Sequence, residues 1–159
     1  MEFAAPKSAW VKAITAIIFA VLPVLAVFVF LTETDRFAFI IPAVIFLLVL
    51  ALSYYFNIVR YEITETHVLI RRPFDRVKIA KSSITDVIPI NKKDIRRSIR
   101  TFGIGGVFSY SGQFWNSKFG NMTWYLSGMD GVVLLTDKSK NKTLLSPENC
   151  EKFIAALKS

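Results

Sequence analysis

Hydrophobic residues follow two different patterns along this chain, and each pattern predicts a different kind of structure. Two long runs near the N-terminus, 13–31 and 37–56, are almost wholly apolar and contain no ionisable residue. A helix needs about 20 apolar residues to span a bilayer. From position 57 onward, short apolar stretches alternate with polar residues instead. The chain is therefore expected to have two parts, a membrane anchor over 1–56 and a folded domain over 57–159.

The two apolar runs predict a two-helix transmembrane hairpin, because only the short polar turn 32–36 separates them. A cleavable signal peptide is the alternative for the first run, but signal-peptide cores run only about 7–15 residues and no small-residue cleavage site follows. Lys and Arg flank the outer ends of both runs, whereas the turn holds one Arg beside two acidic residues. Because basic residues near spans resist translocation, both termini are expected in the cytoplasm.

The remainder of the chain shows the period-two alternation of short β-strands. Runs of this kind occur at 59–63, 67–71, 77–80, 84–88, 107–110, 113–115, 122–126, 132–136 and 142–145. Many short strands with close turns are typical of an antiparallel barrel or sandwich. Near the C-terminus the apolar spacing becomes helical, with Ser146 able to cap a helix and Pro147 suited to its first position. This helix is expected to close the β-structure.

All seven glycines lie between 100 and 131, interleaved with aromatic residues. The sequence GIGG at 103–106 looks superficially like a phosphate loop, but a dinucleotide fingerprint needs GxGxxG between a strand and a helix. Turns and bulges of a tightly curved sheet explain these glycines better. The aromatic residues are expected in the barrel core and rim, with stacking on bases as the alternative. Structural roles are assigned to Gly103, Gly105, Gly106, Gly112 and Gly120.

Positive charge is concentrated in the predicted domain, which holds 17 of the 20 Lys and Arg residues and 9 of the 12 Asp and Glu residues. The first basic group comprises Arg71, Arg72, Arg76 and Lys78, and the second basic group comprises Lys92, Lys93, Arg96, Arg97 and Arg100. Cations beside an anionic leaflet gain roughly 1 kcal/mol each. Both groups are therefore candidate binding surfaces for anionic lipid headgroups or an acidic protein, with a merely solubilising face as the alternative. Nucleic acid is not expected, because no recognition motif accompanies the charge.

The segment INKKDIRRSIRTF, 90–102, carries the second basic group and fits two structures. As a helix it would be capped by Asn91, and Ile95 and Ile99 would share one face. As a strand it would divide its cations between two surfaces, with Ile95, Arg97 and Ile99 on the same side. In either case the segment is expected to be the functional edge of the domain and to bind anionic vesicles in a salt-dependent way.

No combination of residues indicates catalysis, which needs a nucleophile with a base, paired carboxylates or metal ligands placed together. The single His, His67, falls in a predicted turn, and the single Cys, Cys150, falls on the apolar face of the predicted helix. No zinc spacing or acid pair is present. An enzyme is therefore not expected, and no catalytic, cofactor-binding or metal-binding residue is assigned. No cofactor is expected either, and the oligomeric state is not predicted.

Three segments together carry a resemblance to a known family: SIRTFGIGGVFSYSGQFWNSKFGNMTWYLS, then VVLLTD, then LLSPENCEKFIAAL. They resemble the membrane-anchored bacterial pleckstrin-homology-like (bacterial PH) domain family over most of residues 58–158, most specifically in Arg-x-Phe-Gly-x-Gly-Gly at 100–106. The resemblance implies a mainly-β PH-like barrel of about seven strands capped by a C-terminal α-helix. Eukaryotic relatives bind phosphoinositides through a basic first hairpin loop. The corresponding loop here, 64–67, departs from that pattern, so no lipid site is carried over.

These observations predict a multi-pass protein of the bacterial cytoplasmic (inner) membrane whose domain lies in the cytoplasm. The function expected is that of a non-enzymatic, membrane-anchored binding or scaffold module with a basic surface. The alternative is an accessory subunit of a larger membrane protein complex, held mainly through its transmembrane helices.

Overall fold

The computed structural model describes residues 1–32 and 36–158. Its α-helices are α1 (Ala9–Thr32), α2 (Arg36–Tyr55), α3 (Lys92–Ile95) and α4 (Cys150–Lys158), with a 3₁₀ turn at Lys81–Ser83. Its β-strands are β1 (Glu2–Ala4), β2 (Arg60–Ile63), β3 (His67–Arg71), β4 (Arg76–Ala80), β5 (Ile84–Ile90), β6 (Ile99–Gly105), β7 (Tyr110–Asn116), β8 (Gly120–Leu126), β9 (Val132–Asp137) and β10 (Lys142–Leu145).

Helices α1 and α2 differ in their capacity to cross a membrane. Within α1, the stretch Ala9–Val29 has a mean hydropathy of 2.5 and is the one helix of the described residues that is long and apolar enough. The apolar stretch of α2, Ile40–Tyr55, is shorter. The prediction of a clean hairpin of two full-length spans is therefore wrong, because within the described residues only α1 contains an apolar stretch of spanning length. The predicted turn, 32–36, lies partly outside the described residues.

The prediction of a barrel of about seven strands is also wrong, because the described residues form ten strands in two sheets. The four-stranded sheet has the order β1-β2-β3-β4, and the six-stranded sheet has the order β5-β9-β10-β8-β7-β6. Strand β1 precedes α1 and is too short for a period-two pattern to be recognised. Strand β6 lies in the basic and Gly-rich segment, and β7 continues through Gly112, where two separate strands were predicted.

The first hydrophobic core lies between the four-stranded sheet, one face of the six-stranded sheet and α4. It is formed by Ile58, Tyr61, Ile63, Val68, Ile70, Val87, Val133, Leu135, Leu145, Phe153 and Ala156. Burial of one large apolar side chain contributes about 1.5–3 kcal/mol. The expected C-terminal helix is thus present, although it begins at Cys150 and is capped by Asn149, whose side chain accepts a hydrogen bond from the backbone N–H of Lys152 (3.0 Å).

The second hydrophobic core covers the opposite face of the six-stranded sheet. Ile95 of α3 packs there with Phe114, Met122, Trp124, Leu126, Val132, Leu134 and Leu144. The rings of Phe114 and Trp124 are stacked with centroids 3.9 Å apart. Because successive side chains of a strand point to opposite faces, β9 contributes alternate residues to both cores and is a fully buried strand.

Ser146, predicted as a helix cap, instead belongs to a buried hydrogen-bond network. Its Oγ lies 3.2 Å from the Tyr61 hydroxyl and accepts a hydrogen bond from the Ser127 backbone N–H (2.9 Å). The Tyr61 hydroxyl also donates to the Tyr125 carbonyl (2.8 Å), and the Ser127 hydroxyl donates to the Pro6 carbonyl (3.0 Å). Burial raises the pKa of Tyr61. The network joins both sheets to the segment that leads into α1.

The loop 106–109 holds the domain against α1 and α2. The Phe108 backbone N–H donates to the Thr15 hydroxyl of α1 (3.3 Å), and the Phe108 ring meets Phe19 and Tyr54 edge-on at 6.1 and 5.7 Å. Phe108 has a φ of 60°, an uncommon conformation for a bulky residue. The domain is therefore packed directly on the start of α1 and the end of α2.

Candidate functional site

The first basic group lies on the β3–β4 hairpin, next to the end of α2. Arg71 and Arg76 are cross-strand partners. The Arg71 Nε donates to the Glu62 carboxylate (2.9 Å), and the Arg60 Nε donates to the same oxygen (2.8 Å). These hydrogen bonds, that from Arg71 first, lower the pKa of Glu62. Arg71 is therefore neutralised by a structural partner.

The other exposed cations of the hairpin, Arg76 and Lys78, are on β4. The turn before them carries Phe74, which is 72% exposed and stacks on Tyr55 with centroids 6.1 Å apart. The Tyr55 hydroxyl donates to the Asp75 carboxylate (3.2 Å). Aromatic contacts thus fix this turn, with its two neighbouring cations, against the end of α2.

Arg72 differs from its neighbours because its side chain is only 9% exposed. The guanidinium carbon lies 5.0 Å from the Phe56 ring centroid and 5.4 Å from that of Tyr125. Its polar contacts are long: 3.5 Å from Nη2 to the Ser111 hydroxyl and 3.7 Å from Nη1 to the Asp75 carboxylate. Within the part of the chain that the structure describes, the buried Nε has no hydrogen-bond partner. A buried cation is thus held between two aromatic rings with much of its donor capacity unused.

A cavity of about 430 Å³ adjoins Arg72 between the end of α2 and the strands β6, β7 and β8. Its lining comprises Leu52, Phe56, Arg72, Phe102, Gly103, Ile104, Ser111, Gly112, Gln113, Thr123 and Tyr125. Phe102 is 76% exposed and Leu52 is also exposed. The volume falls within the usual range for a small-molecule site, about 300–1,000 Å³.

The second basic group is carried by α3 and the start of β6. The Asn91 side chain accepts a hydrogen bond from the Lys93 backbone N–H (3.0 Å), so α3 begins as the helical alternative predicts. The helix ends at Ile95, and strand β6 starts at Ile99, so each alternative holds for part of the segment. Ile95 is fully buried, whereas Ile99 is 63% exposed.

The cations of the second basic group face solvent. Lys92 forms an ion pair with Asp130 (2.9 Å), and both side chains are largely exposed. Lys93, Arg96, Arg97 and Arg100 are exposed as well. The nine candidate cations therefore lie on two separate parts of the domain, the β3–β4 hairpin and the segment from α3 to the start of β6, and the side chain of one of them, Arg72, is largely enclosed.

The glycines assigned to structure fall in three different settings. Gly103 and Gly112 are cross-strand partners with φ of +110° and +141°, and a Cβ on either one would come within 2.6 or 2.7 Å of the other's Cα. Gly106 has a φ of +100° in the loop that packs on α1, and Gly120 has a φ of +71° in an open turn. Gly105 is close to the Arg100 side chain. The close approach of β6 and β7 therefore requires glycine at 103 and 112, and both glycines line the cavity.

The two chemically reactive residues lie on different elements. His67 begins β3, and its Nδ1 is 2.7 Å from the Thr66 hydroxyl. Cys150 begins α4, and burial raises the pKa of its thiol, with Glu151 adding to the effect. No hydrogen bond joins the two within the described ranges. Those ranges also contain no cluster of three His, Cys, Asp or Glu side chains placed to hold a metal ion.

Sequence reasoning identified Arg72 but missed the residues around it. Phe56, Ser111 and Tyr125 come from the end of α2 and from two strands that are distant in sequence. Their local patterns are those of ordinary strand and helix ends. The one local signal was the run Arg-Pro-Phe-Asp at 72–75, where proline fixes a turn directly after the cation.

Comparison with known proteins gives one family. A family model described as a bacterial PH domain matches residues 59–159, from the residue before β2 through α4, and does not include α1 or α2. No curated protein and no solved structure matches the chain. The match covers more than half of the chain and confirms the resemblance seen in the segments between 98 and 157. The chain belongs to the bacterial PH domain family.

Proposed function

We propose that this chain is a membrane-associated, non-enzymatic binding module whose basic surface faces anionic lipid headgroups or an acidic protein. Membership of the bacterial PH domain family supports a binding or scaffold role. The observation that carries the proposal is the docking of the domain on the start of α1 and the end of α2, through Phe108 and Phe74. If α1 enters the bilayer, this contact holds the domain at the membrane surface.

The pairing of β1 with β2 supports an orientation. The two strands lie on opposite sides of α1 and α2 in the sequence, yet Phe3 and Tyr61 are register partners. The start of α1 and the end of α2 are therefore held by one sheet, which fits a chain that enters and leaves the bilayer on the same side. Lys7 and Lys12 accompany the start of α1, and basic residues are retained in the cytoplasm. We assign the domain and both chain ends to the cytoplasmic side.

Cysteine labelling tests this orientation. In a Cys150→Ser background, Glu33→Cys is expected to react with an impermeant maleimide on intact cells, whereas Ser139→Cys, in an exposed turn of the domain, is expected to react only after lysis. Labelling of Ser139→Cys on intact cells would reverse the assignment.

Charge near the helix ends supports a lipid-facing role for the first basic group. Arg76 and Lys78 are exposed, and the turn preceding them packs on α2. Each such cation gains roughly 1 kcal/mol beside an anionic leaflet. The second basic group is expected to contact the same leaflet or an acidic protein partner, since its charges also face solvent.

Amide hydrogen exchange of the full chain in nanodiscs tests these contacts. Anionic nanodiscs are expected to slow exchange in the turn 72–75 relative to neutral nanodiscs, and 0.5 M salt is expected to remove the difference. Arg76→Glu with Lys78→Glu should abolish the protection, whereas Lys138→Glu with Lys140→Glu, an equal charge change in another turn, should not. The second basic group is tested in the same way. If anionic nanodiscs slow exchange in 90–98, and the variant with Lys92, Lys93, Arg96 and Arg97 changed to Glu loses that protection, the second group contacts the leaflet. Identical exchange in both lipids would overturn the proposal.

A groove between α1 and α2 favours a second function, that of an accessory subunit in a membrane complex. The groove has a volume of about 530 Å³ and is lined by Leu22, Pro23, Leu25, Ala26, Val29, Pro42, Ala43, Phe46 and Leu47. An apolar lining of this kind suits a helix of another membrane protein. Replacing α1 and α2 by an unrelated helix pair should abolish co-purification of the complex in a gentle detergent if this function is correct. If the chain instead acts through its domain, the same replacement should leave the partner bound.

A further inference from the structure

The cavity beside Arg72 has the chemistry of an amphipathic site. One wall carries a cation, and Ser111, Gln113 and Thr123 contribute polar groups, while Leu52, Phe56 and Phe102 make an apolar side. The Arg72 side chain is nine-tenths buried, and its buried Nε has no hydrogen-bond partner among the described residues. Burying a cation costs several kcal/mol unless strong partners compensate. The nearest carboxylate, Asp75, is 3.7 Å away and also accepts the Tyr55 hydroxyl, so it compensates the charge incompletely.

The cavity is lined in part by Gly103 and Gly112, where β6 and β7 approach each other closely. A Cβ at either position would meet the backbone of the partner strand, so this close approach requires glycine at both. The opening lies beside Leu52, on the last turns of α2, and beside Phe102, both exposed. An apolar rim at the end of a helix that adjoins the membrane is accessible to an acyl chain.

We infer that this cavity binds one anionic phospholipid, with the phosphate on the Arg72 guanidinium and an acyl chain along Leu52 and Phe102. The planar guanidinium fork matches phosphate geometry and can donate two parallel hydrogen bonds. The two flanking rings hold the fork in place, so little side-chain entropy is lost on binding. This inference rests on the proposed membrane association, since the lipid reaches the cavity from the bilayer.

The site differs in kind from the exposed basic groups. Exposed cations attract any anionic surface, and salt screens that attraction over about 8 Å at physiological ionic strength. A buried guanidinium binds a single phosphate at one position, and salt screens a buried pair much less. Retention of one lipid at high salt therefore reports the cavity and not the exposed surface.

Native mass spectrometry of the detergent-solubilised full chain, exchanged through 0.5 M salt with phosphatidylglycerol as the probe, tests the inference. One phosphatidylglycerol per chain is expected to remain bound, and diacylglycerol, which lacks the phosphate, is expected to be lost. Arg72→Gln should reduce retention at least tenfold. Lys138→Gln, at an exposed position in a turn outside both basic groups, should stay within twofold of the wild type.

A second pair of variants keeps the test independent of folding at position 72. Phe102→Glu places a negative charge at the exposed rim and should also reduce retention at least tenfold. Ile99→Glu makes the same change at an exposed position on the same strand and should have no effect.

The outcomes separate the possible errors. Retention of phosphatidylglycerol by Arg72→Gln and Phe102→Glu at the wild-type level would overturn the site. Equal binding of soluble glycerol 3-phosphate would show that phosphate alone is recognised and would overturn the lipid assignment. The third result combines both experiments. If amide exchange in nanodiscs shows no salt-sensitive protection but phosphatidylglycerol is still retained, the proposed exposed surface is overturned and the cavity site is not.

Discussion

The two basic groups look alike in the sequence but have opposite surroundings in the structure. In the first group, Arg71 is paired with Glu62 and Arg72 is enclosed by two aromatic rings. In the second group, the cations surround one buried apolar residue, Ile95, and project into solvent. Arg71 and Arg72 are thus part of the packing around β3 and the end of α2, whereas Arg76 and Lys78 are exposed. The segment that carries the second group is attached to the sheet by Ile95 and by the Asn116 side chain, which donates to the Asp94 carbonyl (3.1 Å) and to the Ser98 hydroxyl (2.9 Å).

This difference shows that local charge density does not determine what a charge does. A cation at the end of a strand that packs against other elements becomes part of a site formed by several elements. A cation on a one-turn helix that packs on the sheet through its opposite face stays solvated. The two groups are therefore expected to respond differently to mutation, the first through specific contacts and the second mainly through general electrostatics.

Disturbing the close approach of β6 and β7, which lines the cavity beside Arg72, is expected to have the largest effect. Gly112→Ala places a Cβ against the Phe102 carbonyl and the Gly103 Cα, at a φ of +141°. Backbone strain and overpacking together should lower the free energy of unfolding by about 3–5 kcal/mol. Gly120→Ala, with positive φ but open space, should cost only about 1–2 kcal/mol. Denaturant unfolding of the full chain in detergent measures both changes in the free energy of unfolding. Equal losses in the two variants would show that the close approach of β6 and β7 does not add to the cost of a Cβ at 112.

Detaching the second basic group should have the next largest effect. Ile95→Ala removes a fully buried side chain from the second core and should lower the free energy of unfolding by about 2–4 kcal/mol. Ile99→Ala, at an exposed position, should change it by less than about 0.5 kcal/mol. Similar effects of the two changes would contradict the role of Ile95 as the apolar anchor of this segment.

The ion-pair cluster of the first group predicts a pH-dependent stability. Glu62→Gln should lower the free energy of unfolding at pH 7 by about 1–2 kcal/mol, because Arg60 and Arg71 lose a charged acceptor. The pKa of Glu62 is lowered in the folded state, so its contribution is complete above the unfolded pKa of about 4.3 and disappears as pH falls through the folded pKa. Thermal unfolding curves of wild type and variant should therefore converge in acid. A constant difference down to low pH would exclude the charge mechanism.

The smallest effect is expected for single cations of the second group. Arg96→Ala and Arg97→Ala should each change the free energy of unfolding by less than about 0.5 kcal/mol, because both side chains are exposed. A larger loss measured in the same unfolding assay would mean that these cations have structural partners, which would remove the contrast between the two groups.

The sequence alone determined the properties that depend on local composition and spacing. The uncharged run beginning near Ala13 is long enough for a spanning helix, and period-two alternation located most of the strands, because side chains of a strand alternate between faces. The segments between 98 and 157 were sufficient to identify the family, and Asn91 correctly marked the start of α3.

Only the tertiary structure decided how these pieces combine. Strand β1 exists because its backbone pairs with β2 from across α1 and α2, and three residues carry no periodic signal of that pairing. Apart from the proline that follows it, nothing in the sequence separates Arg72 from Arg71 and Arg76. It is buried because Phe56, Ser111 and Tyr125 converge on it from distant positions, and burial depends on long-range packing that no local pattern encodes.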